Sequence, residues 1–222
     1  MKRRIITFLL ALVVIIGFMP QGNVEAAGKI SKKAAYKAYY KWMKSDDAKI
    51  ERWYGGYQKV YYKKYTLLDI NGDKVPELIA LYEDRDGTWI NSYKICQFDG
   101  TKVNVLETQS GVAGAGGYRG DATVTPKKGR LYEYSISSGT GSTYEVYYKV
   151  TKKGFQKKYI LDFTRSYMNG ETLTYKINDN TVSKKKFNSL HKKLERTYKS
   201  KKSKSLEDLK YISRKKMLKK LK

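Results

Sequence analysis

The sequence holds one cysteine, Cys96, and one histidine, His191. No intramolecular disulfide can form, so the fold must be held by core packing, a metal or partners. A Cys–His or Ser–His–Asp centre has no supporting signature, because the two residues lie far apart in the chain. Cys96 sits in the apolar run Tyr93 to Phe98 and reads as a small buried hydrophobe, and His191 as a residue at the edge of a core. Acids are scarce: 21 Asp and Glu against 46 Lys and Arg, a formal net charge of +25. No pair of carboxylates stands out for glycosidase chemistry. No catalytic residue is assigned, and the chain reads as a non-enzyme.

The first residues carry an address. Met1-Lys2-Arg3-Arg4 is positive, Ile5 to Met19 is uncharged, and Pro20 and Gly22 break any helix. Residues 1–26 are therefore expected to be a cleavable export signal, cut after Ala26. The alternative, a membrane anchor, meets an apolar stretch of about 15 residues where a span needs roughly 20. No Cys lies near the cut, which excludes a lipoprotein. The expected location is secreted or extracellular, with association to the cell envelope. Residues 27–198 suit a single α+β domain, read as a monomer, and 199–222 a Lys-rich C-terminal extension.

What is abundant is tyrosine, 21 residues beside three Trp and six Phe. Ser31 can cap a helix whose Ala35, Ala38, Tyr39, Trp42 and Met43 share one face and which should end near Asp46. From Lys59 to about Lys176, β-branched and aromatic runs alternate with Asp-Gly, Lys-Gly and Asn-Gly pairs. The expectation is an antiparallel meander of seven to nine strands. Ser183 caps a second helix, Val182 staples onto Phe187, and Phe187, Leu190, Leu194 and Tyr198 form the stripe that meets the sheet. A last helix is expected from Leu206 to Leu221, started by Ser205.

One stretch has metal-ligand spacing. Asp69, Asn71 and Asp73 alternate, Gly72 lies between the last two, Val75 can offer its carbonyl and Glu77 a closing carboxylate. An all-oxygen set of this kind suits Ca²⁺. An EF-hand or dockerin loop would need an acid where Ala80 stands, so that version fails. The flanks, Tyr65 to Ile70 and Leu78 to Tyr82, are strand-like. The segment Leu68-Asp69-Ile70-Asn71-Gly72-Asp73-Lys74-Val75-Pro76-Glu77-Leu78-Ile79 resembles the strand–loop–strand calcium loop of FG-GAP repeats. It is also similar to a phrase in exported proteins of Gram-positive, clostridial-type bacteria. The resemblance implies a surface or secreted location and a structural Ca²⁺, and brings no enzymatic activity with it. Lys74 departs from the usual Gly at the sixth position, where a positive φ is often needed. The motif occurs once, which argues against a propeller. The alternative is a tight turn whose carboxylates bond their own backbone amides.

Charge is concentrated at the end: Ser183 to Lys222 holds 17 Lys or Arg and three acids. Clustered charge of one sign is an electrostatic address. Lys184, Lys185, Lys186, Lys192, Lys193, Lys215, Lys216, Lys219 and Lys220 are the candidate polyanion contacts. Outside a Gram-positive cell the polyanions are teichoic acids, lipid headgroups and acidic glycans; export and the lack of a base-reading motif argue against nucleic acid. Lys rather than Arg suits diffuse attraction. The alternatives are a merely solubilising tail, a glycan-binding or glycan-hydrolysing accessory with Trp53 and Trp89 as stacking residues, and an inhibitor or effector of an acidic partner. The Gly-rich Ser110 to Asp121 reads as a hairpin loop; it lacks the helix a phosphate loop requires.

Overall fold

The computed structural model describes residues 30–53, 56–83, 90–113, 117–168 and 170–222. The expected export signal, residues 1–26, lies outside them, as does Trp89. Ser31 caps α1 (Lys32–Trp42) by accepting the Ala34 amide, and Ala35, Tyr39 and Trp42 are buried on one side. Ser183 does the same for α2 (Lys184–Tyr198) through the Lys186 amide, burying Phe187, Leu194 and Tyr198. Val182 and Leu190 pack beside them.

Between the helices the chain is β. β1 (Lys49–Trp53) and β2 (Tyr57–Tyr61) make a separate hairpin. Ten strands then run as a meander, each paired with the next: β3 (Lys64–Leu68), β4 (Glu77–Tyr82), β5 (Ile90–Phe98), β6 (Val103–Val112), β7 (Tyr118–Thr125), β8 (Arg130–Ser137), β9 (Thr143–Thr151), β10 (Gly154–Ser166), β11 (Thr172–Ile177) and β12 (Asn180–Thr181). β13 (Lys204–Ser205) and β14 (Ile212–Ser213) return to β7 and β3, giving a twelve-stranded antiparallel sheet. The expected seven to nine strands are too few. Within that sheet the strands beyond nine, β12, β13 and β14, are two-residue pairings that local composition does not announce. Most of the Gly-rich stretch expected as a loop belongs to β6 and β7.

The sheet doubles back on itself. β6 and β7 pair only at Gly111–Gly120 and Val112–Arg119, so the strands diverge beyond that point. Ile79, Leu81, Tyr93 and Ile95 of the first half then face Ala122, Val124, Leu131, Val146 and Tyr148 of the second across a shared core. The alternate residues point outward, as strand periodicity requires. Leu78, Ala80, Tyr82, Cys96 and Phe98 meet α1 and the C-terminal helix α3 (Arg214–Lys220). Tyr132, Tyr147 and Leu161 meet α2. The order of layers is α1 with α3, first half-sheet, second half-sheet, α2. Cys96 is fully buried, and burial pushes its thiol up.

Residues 199–222 are woven into these layers. Lys204 pairs with Val124, Ser205 Oγ donates to Asp121 Oδ1 at 2.6 Å, and Glu207 accepts from Ser110 Oγ and Asn91 Nδ2. The segment thus fills the gap between diverging β6 and β7. Leu206 is fully buried in the shared core, Ile212 pairs with Tyr65, and Met217 and Leu221 are buried against α1. The helix expected over 206–221 forms only at Arg214–Lys220: Leu206 to Tyr211 run as turns and irregular chain, and Ile212 and Ser213 pair with β3.

Candidate functional site

The loop between β3 and β4 is held by its own side chains. Asp69 accepts the amides of Gly72 at 2.7 Å and Lys74 at 3.3 Å. Asn71 accepts the Asp73 amide at 2.9 Å, and Asp73 the Val75 amide at 2.8 Å. Lys74 takes φ +70°, the left-handed conformation that a Gly would adopt at less cost. Among the described residues no three His, Cys, Asp or Glu side chains gather closely enough to hold a metal ion. Glu77 stands apart from the turn's own bonding. It is 1% exposed, its Oε2 accepts the Ile70 amide at 2.7 Å, and its Oε1 has no hydrogen-bond partner. Burial pushes its carboxyl up to about 8, with Asp73 and Asp69 adding to the rise. The donor chemistry of Asp69, Asn71, Asp73, the Val75 carbonyl and Glu77 fits a hard cation: every atom is oxygen, and among the described residues no cation pairs with the buried Glu77 carboxyl.

The loop is also a clasp. The amides of Lys127 and Gly129, in the β7–β8 turn, donate to the carbonyls of Asp69 at 2.9 Å and Ile70 at 2.7 Å. A Cβ on Gly72, at φ +84°, would meet the Lys127 carbonyl oxygen at 2.8 Å. The Asp69–Glu77 segment therefore locks the two half-sheets together.

The nine candidate lysines do not form one patch. Lys184, Lys185, Lys186, Lys192 and Lys193 are exposed on α2, over the second half-sheet. Lys215, Lys216, Lys219 and Lys220 are exposed on α3, over the first. On the α3 side the structure brings in residues that local reading of the C-terminal segment missed. Lys32, Lys33 and Lys37 of α1 border a groove of about 800 Å³ with Tyr36, Tyr40, Leu221 and Lys222. Lys44 Nζ lies 4.5 Å from the Tyr40 ring centroid, and Arg214 Nη2 donates to the Met43 carbonyl at 2.7 Å. Residues 32–44 and 214–222 together hold eleven Lys and Arg and no acid. That signal was legible in the sequence; the juxtaposition was not.

On the α2 side charge is partly matched. His191 Nε2 lies 3.0 Å from Glu145 Oε1, Tyr147 Oη donates to Glu145 Oε2, and Lys199 Nζ pairs with Glu195 at 3.0 Å. Glu145 is 4% exposed, yet the hydrogen bonds from His191 and Tyr147 outweigh burial and hold its carboxyl below the usual range. The His191 imidazole is raised, first by its hydrogen bond to Glu145. Tyr134, Phe163 and Tyr175 wall the cleft above this pair. His191 is thus an anchor between α2 and β9. Of the two proposed sugar-stacking residues, Trp89 and the Trp53 side chain both lie outside the described residues.

Among the described residues no helix is long and apolar enough to cross a membrane. No family model matches the chain, and neither a curated protein nor a solved structure does.

Proposed function

We propose that the chain is a secreted or cell-surface, non-enzymatic binding module held at the anionic cell envelope by its basic helices, with the Asp69–Glu77 loop as a structural Ca²⁺ site. The observation that carries this reading is charge of one sign: eleven Lys and Arg and no Asp or Glu in the segments that build one outer layer. Charge of one sign that the fold does not neutralise attracts a polymer of the other sign. For the loop, the support is the buried Glu77 with its unpartnered Oε1. Bound there, a cation would neutralise Glu77, Asp69 and Asp73 and tighten the clasp between the half-sheets.

A second reading has one observation in its favour. The cleft walled by Tyr134, Phe163 and Tyr175, with Glu145 at its base, has the aromatic-and-carboxylate lining that suits a sugar. A glycan-binding accessory would use it. Salt separates the two. Washing producing cells with 1 M salt should release an electrostatically held protein, because exposed charges are then screened over about 3 Å. Retention at 1 M salt, with release by free glycan instead, would favour the sugar reading.

A further inference from the structure

Two outer layers carry lysine, and they differ in kind. The α2 layer includes Glu195, which pairs with Lys199, and His191 paired to Glu145. The layer of α1 and α3 has no acid along either helix, and its cations rim a groove floored by the half-buried rings of Tyr36 and Tyr40. A soluble polyanion needs only the cations. Half-exposed tyrosines among lysines match an interface where apolar and charged chemistry meet within a few ångströms, with rings at headgroup level and lysine stems lying along the apolar surface. A second copy of the same face is excluded by like charge.

Resting on the envelope reading above, we propose that the α1–α3 face docks on an anionic lipid surface, with the lysines on headgroup phosphates and Tyr36 and Tyr40 at the interface. Both helices are held at their inner sides by Tyr39, Met43, Met217 and Leu221, so the face is presented rigidly. A preformed face of this kind binds without a folding step.

The test is co-sedimentation of residues 27–222, which contain every described element, at 0.1 M salt. The probes are vesicles of equal parts phosphatidylglycerol and phosphatidylcholine, vesicles of phosphatidylcholine alone, and soluble polyphosphate. Two variants each remove four exposed charges: Lys33, Lys37, Lys219 and Lys222→Gln on this face, and Lys185, Lys186, Lys192 and Lys193→Gln on α2. The expected result is binding to the anionic vesicles alone among the two lipids, weakened about a hundredfold or more by the first variant and only a few-fold by the second, since each lysine near an anionic surface contributes severalfold. Tyr36→Ser with Tyr40→Ser should weaken vesicle binding and leave polyphosphate binding unchanged. Equal loss in the two lysine variants, or binding to polyphosphate but not to vesicles, overturns the lipid face and leaves the envelope reading standing. Failure to bind any anion overturns both.

Discussion

His191 links α2 to the sheet through a single buried carboxylate, and the pair sets a pH window. A raised imidazole contributes stability that is complete below its ordinary value of 6.5 and is lost as pH rises through its folded value. The lowered Glu145 contributes stability above its ordinary value of 4.5 and loses it as pH falls through its folded value. The contribution is therefore greatest between those two pH values. Glu195, Lys199, Tyr132 and Tyr147 surround the pair, and burial pushes the hydroxyls of the two tyrosines further up. His191→Gln keeps a hydrogen bond to Glu145 and removes the titration. The difference in melting temperature between the native protein and this variant should shrink from pH 6 to pH 8; a constant difference would show that His191 is held by packing alone. At Lys74 the left-handed backbone costs a side chain about 1 kcal/mol, so Lys74→Gly should raise stability in EDTA and tighten Ca²⁺ by removing a cation beside the carboxylates. With a dissociation constant near 0.5 mM, about 5 mM Ca²⁺ should add roughly 1.4 kcal/mol, or about 3–6 °C in melting temperature. Asp69→Ala with Asp73→Ala should abolish that rise. No rise in the native protein would leave the loop as a turn that clasps the half-sheets.

At the scale of elements, the C-terminal segment decides whether the basic tail is an appendage. Leu206, Met217 and Leu221 are buried in two different cores. Each is worth about 1.5–3 kcal/mol when fully buried, so the three approach the whole stability of a typical domain. Deleting residues 204–222 should therefore abolish cooperative unfolding, seen as a lost thermal transition in circular dichroism. A truncated chain that melts like the native one would make the segment a solubilising tail. The same segment marks where local reading stops. α1 and α2 were legible because Ser31, Ser183 and a 3.6-residue apolar stripe each specify a helix within their own span. β4 to β6, β8, β9 and β11 were legible because aromatic and β-branched runs stand between Gly-containing turns; β7 was not, because Gly117 and Gly120 make its start read as a loop, nor was β10, whose apolar residues are interrupted by Gln156, Lys157 and Lys158. β1 was missed because Lys49, Glu51 and Arg52 alternate with few apolar residues. β13 and β14 exist only because β7 and β3 offer unpaired backbone groups to a distant part of the chain, and no local pattern encodes that. The candidate lysines were visible as a cluster in sequence. Their division between two outer layers, and the addition of the α1 lysines to one of them, follow from long-range pairing alone.

For the whole molecule, the governing quantity is a net charge of +25 on 222 residues. Self-repulsion on this scale destabilises the compact state and is a cost that a polyanion would relieve. The account thus requires an affinity that is electrostatic in origin. The most direct measurement is equilibrium binding of the purified protein to isolated, nuclease-treated cell envelopes over a series of salt concentrations. The account predicts that log affinity falls linearly and steeply with log salt, losing more than tenfold between 0.1 and 1 M, and that the Lys33, Lys37, Lys219 and Lys222→Gln variant gives a shallower line. An affinity that holds constant across the same range, or no binding at 0.1 M, would contradict it.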